Sequence, residues 1–335
     1  MVRRPATLQD VADLAGVSRA TASLGLRDQG RMSVTTRARI RAAAAELDYV
    51  VNATARNLRT SRSGTVGLYL PDHTLSFRYY MDVAFGAAEQ AQADDLLVTL
   101  MPASFTPSAG IPPHLDGFIV IDPTDEDPIL ERLLDGPAPV VSGELPPSAM
   151  AAPFGIVHSD HVAGIRMLLD HLWERGSRRP AAILADRTVA WGRQMQEGYF
   201  AWCESHGVTP RLLETTFRTT FEEVSERVSE LATDLGGVDA IIGGAEGTIL
   251  TAKEAVESAG LRAGEDLLLA SYVDSDALGL VQPSITALDL QPREFGRQCM
   301  RMLAGALDGS VQAGRSVEVP IRLVARDSTR RDHGR

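Results

Sequence analysis

The sequence predicts a small all-α domain at the N-terminus, followed by a larger α/β body of two doubly wound lobes with parallel sheets. Three observations lead to this fold class. The apolar residues near the N-terminus recur at the spacing of amphipathic helices. From Thr65 onward, short apolar runs alternate with amphipathic helices, which is the pattern of a parallel sheet. The chain has 335 residues, which is more than one compact core usually holds.

The composition excludes several classes of protein. Hydrophobic residues make up 44% and charged residues 23% of the chain, which are globular proportions. No apolar run reaches the roughly 18–20 residues of a membrane-spanning helix, and the basic N-terminus lacks the apolar segment of a secretory signal. The two cysteines, Cys203 and Cys299, are too few for a disulfide framework. We therefore expect a cytoplasmic protein with no membrane partner.

Charge is divided unevenly along the chain. The net charge is −11, but residues 1–63, called the head below, contain 11 arginines against five acidic residues and carry +6. The remaining residues, called the body, carry −17. A phosphate backbone attracts such a head and repels such a body. The asymmetry favours nucleic-acid binding, although an arginine-rich solvated surface explains the charge alone equally well.

The head has the signals of three short helices. Thr7 and Asp10 form a capping-box pattern at the start of the first helix, and Gly16 is placed to end it. A second helix is expected over residues 19–26 and a third over residues 33–48. Two helices joined by a tight, glycine-containing turn are typical of a helix-turn-helix DNA-binding domain.

The body has the pattern of an α/β protein, with about nine strands expected. Because that number exceeds one compact lobe, two lobes are predicted. The apolar runs that indicate strands lie near residues 66–70, 96–101, 118–121, 140–141, 181–184, 240–242 and 267–271. Ligands of open α/β sheets bind beyond the carboxyl ends of the strands, so polar residues that follow the strands are the candidates for a ligand site.

Three runs in the head are similar to the opening of LacI/GalR-family transcriptional regulators, and the resemblance continues to about residue 325. The runs are Thr7-Leu-Gln-Asp-Val-Ala-Asp-Leu-Ala-Gly-Val-Ser18, Thr21-Ala-Ser23 and Val51-Asn-Ala-Thr-Ala-Arg-Asn-Leu-Arg59. The resemblance implies a ligand-responsive regulator, with a repressor expected, that binds a near-palindromic DNA operator as a homodimer. It implies these segments: a helix-turn-helix domain over 5–50, a hinge helix and linker over 51–63, and a body over 64–325 that looks like periplasmic sugar-binding proteins.

The resemblance also assigns roles to residues of the head. The base-reading positions are Arg19, Ala20 and Leu24. The phosphate-contacting positions are Thr7, Ser18, Thr21, Ser23, Arg27, Arg31 and Thr36. The minor-groove positions of the hinge helix are Asn52, Ala55 and Leu58, with Leu58 as a wedge between base pairs. Relatives often carry Arg, Tyr or His at the position of Leu24 and Asn at that of Arg27, so their operator preference does not transfer.

In the body, the resemblance implies two lobes joined by three chain crossings, with a small ligand between them. The expected segments are an N-lobe of about 64–158 and 290–320, a C-lobe of about 159–289 and 321–325, and a polar tail of 326–335. The candidate ligand-binding residues are Asp72, Phe77, Arg78, Glu144, Asp160, Arg193, Glu246, Asp274 and Gln291. Asp160 and Gln291 are equally well explained as residues that hold the crossings. Acidic and amide groups with few basic ones suit a polyhydroxylated ligand such as a sugar or nucleoside.

The sequence disfavours two other classes of function. A sugar-binding receptor without DNA function is disfavoured by the head. An enzyme on the same body, such as a nucleosidase or isomerase, is disfavoured because nucleotide-binding, hydrolase and zinc-protease motifs are missing. The cluster His158-Ser-Asp-His161 fits no zinc signature and is expected to be structural. No cofactor or metal is expected.

Overall fold

The computed structural model describes residues 6–26, 32–49, 62–71, 78–102, 112, 114–124, 127–147, 151–216, 222–223, 225–226, 228 and 237–330. The chain forms two compact units, Met1–Ser63 and Gly64–Arg335. No helix among the described residues is both long and apolar enough to cross a membrane.

The first unit is a three-helix domain. Its helices are α1 (Leu8–Leu14), α2 (Arg19–Leu26) and α3 (Val34–Glu46). The predicted capping box is present, since the Thr7 amide donates to the Asp10 carboxylate at 2.7 Å and the Asp10 amide to the Thr7 hydroxyl at 3.3 Å. Gly16 follows α1 with a φ of +61°, a left-handed conformation that costs glycine little.

The core of this domain depends on close packing of α2 against α3. Val11, Ala22 and Ile40 are fully buried. A Cβ atom on Gly25 would lie 2.5 Å from Cδ1 of Ile40. Glycine weakens a helix by about 1 kcal/mol relative to alanine, but here it allows α2 to approach α3 closely.

The N-lobe of the body is a parallel six-stranded sheet covered on both faces. Its strands lie in the order β11 (Arg315–Glu318), β5 (Gly155–His158), β4 (Val140–Gly143), β3 (Phe118–Ile121), β1 (Thr65–Leu70) and β2 (Leu97–Pro102). Helices α4 (Arg78–Ala93) and α10 (Pro292–Asp308) cover one face, and α5 (Pro128–Leu134) covers the other.

Two glycines set the distance between α4 and α10. A Cβ atom on Gly86 would collide with the carbonyl of Arg293, and one on Gly296 would collide with the carbonyl of Val83. The two helix backbones therefore come into direct contact, which fixes the start of α4 relative to the sheet.

The C-lobe is a second six-stranded sheet with one antiparallel edge. Its order is β12 (Arg322–Val324), β10 (Thr286–Asp289), β9 (Leu268–Ser271), β8 (Ala240–Gly243), β6 (Pro180–Ala185) and β7 (Arg211–Thr215), and only the β12–β10 pair of this order is antiparallel. The main helices are α6 (His161–Glu174), α7 (Ala190–His206), α8 (Thr248–Ser258) and α9 (Asp276–Leu280). Helices α6 and α7 pack on one face, and α8 and α9 on the other. The fold class predicted from the sequence is confirmed.

The described chain passes between the two sheets three times, after β5, after β10 and after β11. Twelve strands are described, against the nine or so that were expected. The ranges predicted from the sequence do not include β5, β7, β10, β11 or β12. Of these, β7, β11 and β12 lie at sheet edges, where partly exposed or exposed residues such as Arg211 and Arg315 replace the apolar run of a buried strand.

The prediction that a polar tail begins at residue 326 was wrong. The Arg326 guanidinium binds both carboxylate oxygens of Asp274, at 2.8 and 2.7 Å. Ser328 and Thr329 are buried, and the Thr329 hydroxyl lies 2.8 Å from Nε2 of His171. The polar side chains of this segment therefore satisfy buried hydrogen-bonding groups, and the C-lobe continues through Arg330.

Candidate nucleic-acid interface and ligand cleft

The exposed face of α2 carries the residues predicted to read bases. The Ser18 hydroxyl caps the helix by accepting from the Thr21 amide at 3.1 Å. Arg19 and Ala20 are exposed at its start, and Leu24 is 38% exposed one turn later. An arginine and small or apolar groups at the N-terminal end of such a helix can reach base edges in the major groove.

Hydroxyl groups lie at the start of all three described helices of the head. Besides Thr7 and Ser18, the Ser33 hydroxyl accepts from the Thr36 amide at 3.0 Å and caps α3. Backbone N–H groups at helix starts, together with such hydroxyls, bind phosphate. The Thr7 hydroxyl also donates to Asp10 at 2.7 Å, so within the protein its hydrogen is used by the capping box.

The remaining head residues divide as follows. Thr21, Ser23 and Thr36 are partly exposed. Arg27, Arg31, Asn52, Ala55 and Leu58 lie outside the described residues, so their predicted DNA contacts stay predictions.

In the body, two carboxylates follow neighbouring strands at the carboxyl edge of the N-lobe sheet. Asp122 comes directly after β3 and Glu144 directly after β4. Both have left-handed backbones, with φ of 47° and 82°, and both are buried, with 5% and 2% exposed. Residues other than glycine adopt this conformation at a cost of roughly 1–3 kcal/mol, and such residues cluster at ligand sites.

The two carboxylates belong to a polar network that joins the lobes. The Tyr80 hydroxyl, from the N-lobe, donates to Asp122 at 2.5 Å. From the C-lobe, Nε2 of His161 lies 3.2 Å from Oε1 of Glu144, and Nδ1 of His161 lies 2.9 Å from the Tyr272 hydroxyl. All of these side chains are buried.

Burial and like charge set the protonation of this network. Burial, followed by the charge of Glu144, raises the pKa of Asp122 to about 7, although the Tyr80 hydroxyl opposes the shift. Burial alone would lower the pKa of His161, but the carboxylates of Glu144 and Asp122 outweigh it and the pKa is raised overall. Burial raises the pKa of Tyr80 and Tyr272, so both stay hydroxyl donors.

These groups line a cavity between the lobes, called the cleft cavity. Its wall is largely aromatic and acidic, and consists of Tyr79, Tyr80, Asp122, Glu144, His161, Trp191, Gly244, Ala245, Glu246, Tyr272, Val273 and Leu290. Its volume of about 50 Å³ holds only a few water molecules. A ligand the size of a sugar therefore requires the lobes or the aromatic side chains to move.

Charged contacts also join the two lobes and are called the clasp below. Glu246, from the C-lobe, accepts from the backbone amides of Arg78 and Tyr79 at 3.3 and 3.0 Å and so caps α4 of the N-lobe. The Arg78 guanidinium lies 2.9 Å from Asp276. A ligand that separates the lobes must break these contacts.

The structure distributes the predicted ligand-binding residues over several places. Glu144 and Glu246 line the cleft cavity, whereas Arg78, Asp274 and Gln291 line a more open space beside it. Asp160 and Arg193 line neither of these two spaces. Asp72 and Phe77 lie outside the described residues.

Three of these residues have local partners. Asp160 caps α6 by accepting from the Ala163 amide at 2.8 Å. Gln291, with a φ of 50°, donates from its side chain to the Pro320 carbonyl and so ties two crossings together. The Arg193 guanidinium donates to the Arg187 carbonyl at 3.0 Å.

Of the twelve described residues that line the cleft cavity, sequence reasoning predicted only Glu144 and Glu246. The polar and aromatic side chains that it missed are Tyr79, Tyr80, Asp122, His161, Trp191 and Tyr272. Asp122 could have been found, because it directly follows an apolar run that was recognised as a strand. His161 was noticed only as part of a metal-like cluster. No group of three His, Cys, Asp or Glu side chains in the described chain is arranged to hold a metal ion.

Comparison with known proteins agrees with this architecture. Residues 7–52 match the bacterial regulatory proteins of the lacI family, and residues 169–329 match a periplasmic binding protein-like domain. The HTH-type transcriptional regulator CelR of Thermobifida fusca is 26% identical over 336 residues, which span 96% of each chain. The lactose operon repressor of Escherichia coli is 23% identical, over 97% of this chain and 91% of that protein.

Solved structures show the same fold over most of the chain. A complex of the transcriptional regulator CelR with cellobiose superimposes with a TM-score of 0.72 at 23% identity, covering 96% of this chain and 99% of that one. The lac repressor dimer bound to operator and the anti-inducer ONPF gives a TM-score of 0.79 at 21% identity, covering 97% and 99%. The match of the helix-turn-helix head, the match of the two-lobed body and the similarity to these relatives together show the family. The chain belongs to the LacI family of bacterial regulatory proteins.

Proposed function

We propose that the protein is a transcriptional repressor that binds a near-palindromic operator as a homodimer and responds to a small polyhydroxylated ligand in the cleft. The observation that carries this proposal is the exposed face of α2, where Arg19, Ala20 and Leu24 are presented by a capped, well-packed helix. Because its target is chromosomal DNA, we place the protein in the cytoplasm.

Dimerisation supplies the second recognition helix that a palindrome requires. The N-lobe offers apolar surface for it. Phe85 on α4 is 52% exposed, and Leu97 and Leu100 on the edge strand β2 are 69% and 44% exposed. Burying such side chains in a partner contributes roughly 25 cal/mol per Å² of apolar surface.

The ligand acts through the contacts between the lobes. A sugar or nucleoside in the cleft replaces part of the clasp made by Glu246, Arg78 and Asp276, so it binds one lobe arrangement better than another. That difference in affinity shifts the population of the two arrangements. We propose no catalytic step and no cofactor. The relatives reported above are described as regulators, one of them in complex with cellobiose.

Selection of bound sequences from a random DNA library by the full-length protein tests the proposal. We expect a palindrome with a flexible central step. Recovery of no sequence above background, both alone and with a pool of sugars and nucleosides, would contradict it and would favour a binding protein without DNA function.

Substitution of Arg19 by alanine then tests the recognition helix. We expect a loss of roughly 1–3 kcal/mol and relaxed preference at one base position of each half-site. Arg39→Ala is the matched control, because Arg39 is an exposed arginine on α3 and has no predicted base contact. Unchanged base preference in Arg19→Ala would show that Arg19 does not read bases.

A further inference from the structure

One oxygen of the cleft cavity lacks a partner. Oε1 of Glu144 lies 3.2 Å from the His161 imidazole and accepts from the Ser159 amide at 3.3 Å. Oε2 of the same carboxylate is buried and has no hydrogen-bond partner among the residues that the structure describes. Leaving a buried charged acceptor unpaired is costly, so this atom marks a position where a donor from a ligand would be stabilised.

The groups around Oε2 leave an excess of negative charge. Three carboxyl groups line the cavity, those of Asp122, Glu144 and Glu246, against the single imidazole of His161. The described residues that line the cavity include no lysine or arginine. The guanidinium of Arg78, beside the cavity, is already paired with Asp82 at 3.0 Å and with Asp276 at 2.9 Å.

Two tyrosine hydroxyls of the cavity are already engaged in hydrogen bonds within the protein. The Tyr80 hydroxyl donates to Asp122, and the Tyr272 hydroxyl is bound to His161. A neutral hydroxyl group of a ligand needs a donor as well as an acceptor to be fully satisfied, whereas an ammonium group needs acceptors only. The unsatisfied atom, Oε2, is an acceptor, so it suits an ammonium donor.

The remaining wall suits a cation. Tyr79, Trp191 and Tyr272 contribute aromatic rings to it. The faces of such rings attract cations, most strongly where water is excluded.

We propose that the cleft selects a ligand that carries a protonated amine, such as an amino sugar, with its ammonium group on Oε2 of Glu144. This inference rests on the proposed function, because it specifies the class of ligand for the same cleft. Hydroxyl groups of the ligand form hydrogen bonds with the other polar groups of the cavity. The ammonium group distinguishes this ligand from a neutral sugar of the same shape.

Calorimetric titration of the full-length protein at pH 7.5 with matched pairs of sugars tests the inference. The pairs are glucose with glucosamine, and cellobiose with the β-1,4-linked disaccharide of glucosamine. We expect at least one amine to bind about 10-fold or more tightly than its neutral counterpart, which is the range of a charge-assisted hydrogen bond.

Two results would overturn the inference. Equal or tighter binding of the neutral members would show that charge is not selected. Failure of both amines to bind would also count against it. If a neutral sugar binds and releases the operator found by selection, the proposed function stands while the inference about charge fails.

Variants of Glu144 test whether the ammonium binds there. Glu144→Gln should bring the amine to within about threefold of its neutral counterpart, because the amide removes the charge and keeps the shape. Glu131→Gln, an exposed glutamate on α5, is the matched control and should keep the full preference. An undiminished preference in a folded Glu144→Gln would overturn the assignment. Should Glu144→Gln fail to fold, Glu144→Asp makes the comparison, because the shorter side chain withdraws the carboxylate from the ammonium. An undiminished preference in that variant would overturn the assignment equally.

Discussion

Replacement of Asp122 by asparagine tests the electrostatics of the cleft. Burial and the carboxylate of Glu144 raise the pKa of Asp122 from its ordinary value of 3.8 to about 7. Asparagine has nearly the same shape and retains an oxygen that accepts from the Tyr80 hydroxyl. The variant therefore removes the titration while leaving the packing of the cleft in place.

The direction of the effect follows from proton binding. Folded Asp122 keeps its proton up to about pH 7, whereas the unfolded chain loses it near pH 3.8. This contribution to stability is fully present below pH 3.8 and is lost as the pH rises through 7. At about 1.4 kcal/mol per pH unit, the wild type should lose about 3 kcal/mol relative to Asp122→Asn between pH 5 and pH 8.

Urea unfolding at a fixed protein concentration, followed by tryptophan fluorescence, measures this difference. The chain has three tryptophans, and Trp173, Trp191 and Trp202 all lie in the C-lobe, so the head does not contribute to the signal. Asp94→Asn, at an exposed position, is the matched control. A difference in unfolding free energy between wild type and Asp122→Asn that is constant from pH 5 to pH 8 would refute the reasoning.

Three further predictions concern packing and capping. Gly25→Ala places a Cβ atom 2.5 Å from Ile40, so we expect the head to lose roughly 1–3 kcal/mol by overpacking; operator affinity should fall while ligand affinity at the cleft, measured by calorimetry, is unchanged. Gly164→Ala places a Cβ atom 2.5 Å from the Tyr272 hydroxyl, so we expect a similar loss for the body, and a melting temperature equal to that of the wild type would contradict the packing. Thr7→Ala removes the cap of α1 and should destabilise the head by about 1 kcal/mol, while Thr7→Ser should restore it; thermal melts of head helicity by circular dichroism distinguish the two.

Local signals in the sequence predicted the head well. The capping box of Thr7 and Asp10, the left-handed Gly16 and the cap at Ser18 each act over three residues or fewer, and all three are present. Such features depend on neighbours in the chain and can therefore be read from the sequence. The reason for Gly25 could not be read in this way, because its close neighbour Ile40 belongs to another helix.

The cleft was predicted only in part, for a related reason. The rule that ligands bind beyond strand ends led to Glu144, and the same rule applies to Asp122. The contact between His161 and Tyr272 joins residues 111 positions apart, and the spacing of residues in the sequence cannot predict such a contact. Polar residues at crossings were ambiguous in the sequence, because a carboxylate such as Asp160 can cap a helix or bind a ligand, and only its partner in three dimensions distinguishes the two.

The central claim is that the basic head binds operator DNA. The most direct test is the salt dependence of affinity for the selected palindrome, measured for the full-length protein and for a chain that lacks residues 1–63. Each neutralised phosphate contributes about −0.9 to the slope of log K against log salt, so Arg27 and Arg31 from two heads alone give a slope of about −4. The account predicts a slope at least that steep and no specific binding by the shortened chain. A flat salt response, or binding that survives the deletion, would contradict it.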